Sequence, residues 1–369
     1  MVTSILVFIL VLSILVLVHE FGHFVAARRM GIWVREFGIG LPPRIFGKKI
    51  GETIYSVNWL PFGGFVRMHG EDSSEKIRPK EAFVSKSKGA RLFVVTAGVL
   101  MNLLLGIFVF SITYFFTGLP RQTDRVKVVE VLPSSPASEI GLKSGDVIKK
   151  VDDTKITTSD EFVNYVDSKK GEKVNLVIER EENGNIRELE LKVVPRKTPP
   201  SGEGPLGVII STTEIYYPPY WQRPFYGIYY GVKEAVFWGK NIVSSLFMMI
   251  VGLFRGEVPK DISGPVGIFA ITSEAAKLGF FSLLNFMGIL SINLAILNIF
   301  PFPALDGGRL IFIGLEYILG KKVPEKFEAA VHMAGMVFLI ILLLFITAYD
   351  IKRLILAGGI SGFLNSFGR

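Results

Sequence analysis

The chain has 369 residues, half of them hydrophobic, with a mean hydropathy of +0.44 and apolar runs of about 20 residues, which excludes an ordinary water-soluble domain and makes the bilayer its solvent. Its formal charge is +8, yet Lys and Arg cluster beside apolar segments without an aromatic-interleaved basic face, which argues for membrane orientation and against a nucleic-acid partner. Cysteine is absent, so disulfides and thiolate ligands are excluded and any metal must be held by His, Asp or Glu.

The first apolar segment, about 4–27, is long enough to cross a hydrocarbon core of about 30 Å. A cleavable signal peptide is the competing reading, but the segment lacks a basic start and its positive cluster, Arg28, Arg29 and Arg35, follows the apolar run. Inside the span lies His19-Glu20-Phe21-Gly22-His23, an H-E-x-x-H pattern. On a helix, the i, i+4 spacing brings both imidazoles to one face within reach of one metal ion, with Glu20 beside it to act as a base. Ionisable groups in an apolar helix cost several kcal/mol unless they face a polar cavity or bind something, which disfavours a merely structural role. Two histidines leave a catalytic zinc site one protein ligand short.

Residues 54–68, "IYSVNWLPFGGFVRM", are too apolar for an ordinary cytoplasmic loop. They are expected to form a hairpin that turns at Gly63-Gly64 and re-enters the membrane, with an edge able to pair with an unwound substrate. An interfacial hairpin anchored by Trp59 is the other reading. His69 follows in a polar loop, and a solvated role is its default. A second span covers about 91–117 and closes the first part of the membrane domain, 1–117.

Residues 124–196 read as a small α/β module. "VKVVEV" and "KVNLVIER" alternate like strands, Asn183-Gly184 marks a hairpin turn, and "IRELELKVV" returns. Thr158 to Glu161 is a capping box that opens a short helix carrying Phe162 and Val166 on one face. "PASEIGLKSGDVIKKVDD" resembles a PDZ domain of the bacterial protease-associated kind, a fold that receives extended peptides by strand addition. The following region, 197–279, is expected to be interfacial: "EIYYPPYWQRPFYGIYY" suits the outer membrane surface, and "IVSSLFMMIVGLF" at 242–254 is short for a span.

The second membrane part, 280–369, contains spans at about 280–300 and 332–355. Four spans put both termini on one side; a crossing at 242–254 would break that parity. Lys and Arg after the first span, before the second (Lys86, Lys88, Arg91) and between the last two (Arg309, Lys321, Lys322, Lys326) place those loops in the cytoplasm, and both termini and the module outside. Asp306 in "NLAILNIFPFPALDGGRL" ends the third span on the same side as His19 and His23, making it the strongest candidate for the missing ligand. Taken alone, Asp-Gly-Gly is also a helix-terminating turn. His332, at the start of the fourth span, reads as an interfacial histidine.

H-E-x-x-H in the first span, N-x-x-x-x-N-x-x-P-x-P-x-L-D-G-G at the third and an external PDZ-like module between them resemble the site-2 protease family, and within it the RseP-type bacterial intramembrane zinc metalloproteases. Phe37-Gly38-x-Gly40, "PFGGFVRM" at 61–68 and Ser263-Gly264-Pro265-Val266-Gly267 are further matches; the single PDZ-like module is a departure, since several Gram-negative relatives carry two. The resemblance implies zinc on His19, His23 and Asp306, water activation by Glu20, and a re-entrant β-loop with Phe62, Gly63 and Gly64 at its turn. It also implies substrate clamping by Asn293 and, chiefly, Asn298, which the residues alone would read as helix-to-helix hydrogen-bonding groups.

The expected protein is therefore a polytopic α-helical membrane protein with four transmembrane helices, a re-entrant β-hairpin and an extracytoplasmic α/β PDZ domain. It is expected in a bacterial inner membrane, with its active site near the cytoplasmic side. Its expected activity is regulated intramembrane proteolysis of single-pass membrane proteins, anti-sigma-factor-like substrates or remnant signal peptides, with a substrate tail or peptide at the PDZ domain. Two readings compete: a non-enzymatic PDZ scaffold, and another membrane zincin using Glu316, in an expected cytoplasmic loop, as third ligand.

Overall fold

The computed structural model describes residues 2–70, 80–182, 184–200, 202–256, 263–359 and 362–363, and the chain divides into two units: Met1–Phe116 with Tyr220–Arg369, and Thr117–Pro219. The first helix, α1 (Val2–Arg29), is apolar on every side, the pattern of a helix surrounded by lipid and other apolar helices. Its 28 residues extend about 42 Å.

Two bent strands follow, β1 (Val34–Ile50) and β2 (Thr53–Met68). They pair antiparallel in two places, Val34–Ile39 with Gly64–Met68 and Arg44–Ile50 with Thr53–Asn58. Glu36–Ile39 also lies beside Ile54–Val57, with residue numbers rising together on both. The expected simple hairpin of 54–68 is thus corrected: its two arms do not pair with each other, because residues 34–39 are inserted between them. Gly38 makes the insertion possible, since a Cβ there would lie 2.4 Å from the Phe65 ring and 2.9 Å from Asn58 Nδ2. Buried Glu36 fastens the layers, accepting from Ser56 Oγ at 2.6 Å and from Arg44 Nε and Nη2 at 3.0 and 2.6 Å. The turn between the arms packs on α1, where Ser13 Oγ donates to the Pro61 carbonyl at 2.8 Å.

Helix α2 (Lys88–Thr117) approaches α1 closely; a Cβ on Gly22 would lie 2.4 Å from the Ala97 carbonyl oxygen. The second unit comprises β3 (Leu119–Val131), α3 (Pro136–Glu139), β4 (Val147–Val151), β5 (Thr154–Lys155), α4 (Ser159–Ser168), β6 (Val174–Glu182), β7 (Asn185–Val193) and β8 (Val208–Tyr216). Its sheet has the order β7-β6-β4-β3-β8, with β5 paired to β4. Val126, Val128, Ile148, Leu176 and Ile178 pack there against Phe162 and Val166 of α4. The Thr158–Glu161 capping box opens α4. Strand β8 pairs along β3 beyond residue 196, so the unit extends past the expected 124–196 at both ends. Asn183, the first of the expected turn residues, lies outside the described residues.

Returning to the first unit, α5 (Arg223–Phe254) runs 32 residues without interruption, so 242–254 is the end of a long helix rather than a short separate one. Gly227, Gly231, Ala235 and Gly239 recur every four residues along one face, a small-residue seam suited to close helix packing in lipid. A Cβ on Gly231 would lie 2.3 Å from Ser111 Oγ and 2.8 Å from the Ile107 carbonyl oxygen, and Ala235 is buried with Phe110 and Ile292. Tyr114 donates to Glu234 at 2.8 Å, and the Trp238 indole donates to the same carboxylate at 3.0 Å.

The remaining helices are α6 (Pro265–Leu278), α7 (Phe280–Ile299), α8 (Asp306–Leu319) and α9 (Glu325–Leu356). Asp350 of α9 caps α6, accepting from the Gly264 and Gly267 amides at 2.9 Å each, which gives the Ser-Gly-Pro-Val-Gly stretch a structural task. Among the described residues, α1, α2, α5, α7 and α9 are long and apolar enough to cross a membrane, five helices where four were expected.

Candidate metal centre

His19 and His23 are buried one turn apart on α1, as the i, i+4 spacing requires. Their Nε2 atoms are 3.1 Å apart and lie 3.0 and 3.2 Å from Asp306 Oδ2. Asp306 does not end α7 as expected; it opens α8, after a turn of six residues containing Pro301 and Pro303. Among the described residues, His19, His23 and Asp306 are the one group of three or more such side chains placed to hold a metal.

The three atoms fit a cation. His23 Nδ1 lies 2.8 Å from the Val94 carbonyl oxygen, which only accepts, so Nδ1 carries the proton and Nε2 offers a lone pair. That lone pair faces a carboxylate oxygen that is buried without a hydrogen-bond donor. Lone pairs this close repel unless a proton or a metal ion lies between them. Separations of 3.0–3.2 Å match the roughly 3.3 Å between ligands of a tetrahedral ion bound at about 2.0–2.1 Å.

Glu20 stands beside these three side chains, its Oε2 accepting from the Val66 amide of β2 at 3.0 Å. The carboxylate thereby sits at an edge of the β1–β2 layer. A cavity of about 540 Å³ opens here, lined by Glu20, His23, Val66, Asp306, Arg309 and His332.

The other expected site residues divide. Asn298 Nδ2 reaches 3.5 Å from both His19 ring nitrogens, whereas Asn293, five residues earlier on α7, points about 140° away around the helix. Phe62 is largely exposed, while Gly63 and Gly64 lie against α1: a Cβ on either would come 2.8 Å from Val16 or 2.7 Å from Leu17. Glu316 is not in a loop but buried on α8, where Arg91 pairs with its carboxylate and Lys88 donates to its carbonyl at 2.7 Å.

Three participants escaped the sequence reading. Asn102 is fully buried with its amide 3.5 Å from His19 Nδ1, and a side-chain amide in the middle of the apolar 91–117 run was its signal. Gly98 carries no such signal: a Cβ there would lie 2.4 Å from His23 Nε2 and 2.8 Å from His19 Cε1. Ala304, two residues before Asp306, is held at φ +76°, a left-handed conformation that costs a non-glycine residue about 1–2 kcal/mol.

Two buried histidines and a partly buried aspartate beside a glutamate, on a bundle of apolar helices, have the makeup of a membrane metalloprotease centre. The chain belongs to Peptidase family M50, whose model matches residues 7–342. A Clostridium perfringens protein is 38% identical over 93% of this chain and 97% of its own length. Zinc metalloprotease RasP of Geobacillus kaustophilus is 32% identical, covering 96% of this chain and 99% of its own. Regulator of sigma-W protease RasP of Bacillus subtilis is 29% identical over 96% and 100%, respectively. Among solved structures, the PDZ domain of an SdrC-like protein from Listeria monocytogenes matches 24% of this chain and 87% of its own, at 26% identity and a TM-score of 0.20.

Proposed function

We propose that this bacterial membrane metalloprotease is a zinc endopeptidase that cuts the transmembrane segments of single-pass membrane proteins, anti-sigma-factor-like substrates or remnant signal peptides among them. The observation that carries the reading is the convergence of His19, His23 and Asp306 with Glu20 beside them, inside apolar helices. When bound, zinc supplies a Lewis acid that lowers the pKa of water toward about 7 and polarises a carbonyl. Glu20 Oε2 takes the proton of the attacking water and later delivers one to the leaving nitrogen. The Val66 amide holds that carboxylate in place.

A transmembrane helix hides its carbonyls in backbone hydrogen bonds, so the substrate must unwind before attack. The edge formed by residues 64–68, next to Glu20, would take it as an added strand, with Phe62, Gly63 and Gly64 shaping the approach. Asn298, beside His19, is the better placed of the two asparagines to clamp it. The basic residues after α1, before α2 and before α9 favour a site near the cytoplasmic face, with the Thr117–Pro219 unit outside, an orientation that four crossings satisfy and a full crossing by α5 would break. There that unit serves as a PDZ-type filter or receives a substrate tail.

The deciding experiment compares purified wild type with Glu20→Gln on a tagged single-pass substrate while bound zinc is measured. The expected result is zinc in both and cleavage lowered by about 10²- to 10⁴-fold in the variant. Undiminished cleavage by Glu20→Gln would remove Glu20 from the chemistry, and a wild type that neither cuts nor holds zinc would leave the scaffold reading.

A further inference from the structure

The turn that delivers Asp306 is short of its own hydrogen bonds. Between α7 and Asp306 the chain reads Phe300-Pro301-Phe302-Pro303-Ala304-Leu305, and the two prolines have no amide proton. Of the four amides left, Phe300 donates back to Ile296 and Leu297, Phe302 to Phe300, and Leu305 to Phe302. The Ala304 amide leaves the turn altogether. It donates at 3.0 Å to Nδ1 of His332, on α9.

The imidazole is held for this task. Its ring lies 5.6 Å from that of Phe312 on α8, at 45°. One helical turn further along α9, Gly335 presses on the same loop: a Cβ there would lie 2.4 Å from Pro303 Cβ and 2.7 Å from its carbonyl oxygen. An amide needs a lone pair, so Nδ1 is unprotonated in this contact and the neutral ring carries its proton on Nε2, the side nearer Glu328. Ala304, meanwhile, holds a left-handed conformation that an alanine would not keep unaided.

We propose that His332 is a positioning residue for the third metal ligand: by accepting the Ala304 amide it fixes the backbone two residues before Asp306, and so sets the carboxylate within reach of His19 and His23. It binds no metal itself. The inference rests on the zinc protease reading, and it assigns a part in that site to a further element, α9. A histidine is suited to the place because its ring puts an acceptor near the main chain while the rest of the ring packs on Phe312.

The test uses the full chain and zinc alone as probe, in competition with a chelator. His332→Leu removes the acceptor at similar size and is expected to weaken zinc binding by about 10- to 100-fold, the usual effect of losing an outer partner of a ligand. His332→Asn puts an amide oxygen where Nδ1 was and is expected to restore most of that affinity. If the leucine variant does not fold, His332→Gln, whose oxygen lies one bond too far, takes its place with the same expectation. Hydrogen exchange of the 299–308 segment, followed in zinc-free protein, is expected to speed up in the leucine variant and not in the asparagine one. Wild-type zinc affinity in His332→Leu, or equal impairment in the Asn and Leu variants, overturns the proposal. A wild type that binds no zinc overturns the protease reading instead, and the zinc-free exchange comparison then still decides whether His332 holds the turn.

Discussion

At the residue scale, the proposed metal site depends on an atom that is missing. Gly98 lets α2 lie directly against both imidazoles, and any side chain there would occupy the space of His23 Nε2. Gly98→Ala is expected to weaken zinc binding by about 10-fold or more, since the imidazole must turn away from Asp306 and from the Val94 carbonyl that sets its tautomer. Chelator competition measures it, and unchanged affinity would mean that the helices part instead. Asn102 shows the complementary case, a buried amide that sits where it can orient His19.

At the element scale, the α2–α8 contact separates two functions of acidic residues. Asp306 at the start of α8 faces the histidines, while Glu316 ten residues on faces Arg91. Glu316→Gln leaves a buried guanidinium without its partner and is expected to cost about 3–5 kcal/mol of stability. Zinc per folded molecule should not change. Thermal unfolding in detergent and metal analysis of the same sample check both halves; loss of zinc with stability intact would revive Glu316 as a ligand.

The α5–α2 seam is a second prediction at this scale. Gly231→Leu would push into Ser111 and Ile107, forcing α5 off α2. Because the chain has no cysteine, a pair of introduced cysteines across this contact reports the separation cleanly. Cross-linking is expected to fall sharply in the leucine variant, and persistence at the wild-type yield would show that the seam does not set the packing.

At the scale of the whole molecule, the proposed cleavage inside a bilayer would require selection among many apolar helices, and the Thr117–Pro219 unit, which has a hydrophobic core of its own, is the proposed filter. If it filters substrates by the size of their external domains, its deletion is expected to let a full-length, untrimmed substrate be cut as readily as a shortened one. The ratio of the two cleavage rates measures this. A ratio unchanged from wild type would take selection away from that unit.

Much of this protein was legible in its sequence because membranes impose simple rules. Long apolar runs, an H-E-x-x-H pair and an aspartate near the end of a later span pointed to His19, His23, Asp306 and Glu20 without coordinates, since charged groups in such segments are too costly to be incidental, and the structure brings the four side chains together. Periodicity found most strands of the module, and the Thr158 box marked its helix. What failed was whatever depended on neighbours. Lys233, Glu234 and Lys240 broke up the apolar signal of α5, although Tyr114 and Trp238 satisfy the glutamate and the glycine seam packs the helix. The β1–β2 layer inserts 34–39 between two arms that local sequence suggested would pair directly. The composition and spacing of residues determined what chemistry this chain can host. Only the tertiary structure decided which glycine lies against the histidines, which carboxylate is spent on an arginine and which histidine holds the turn before Asp306, because those are contacts between segments whose separation in sequence carries no periodic trace.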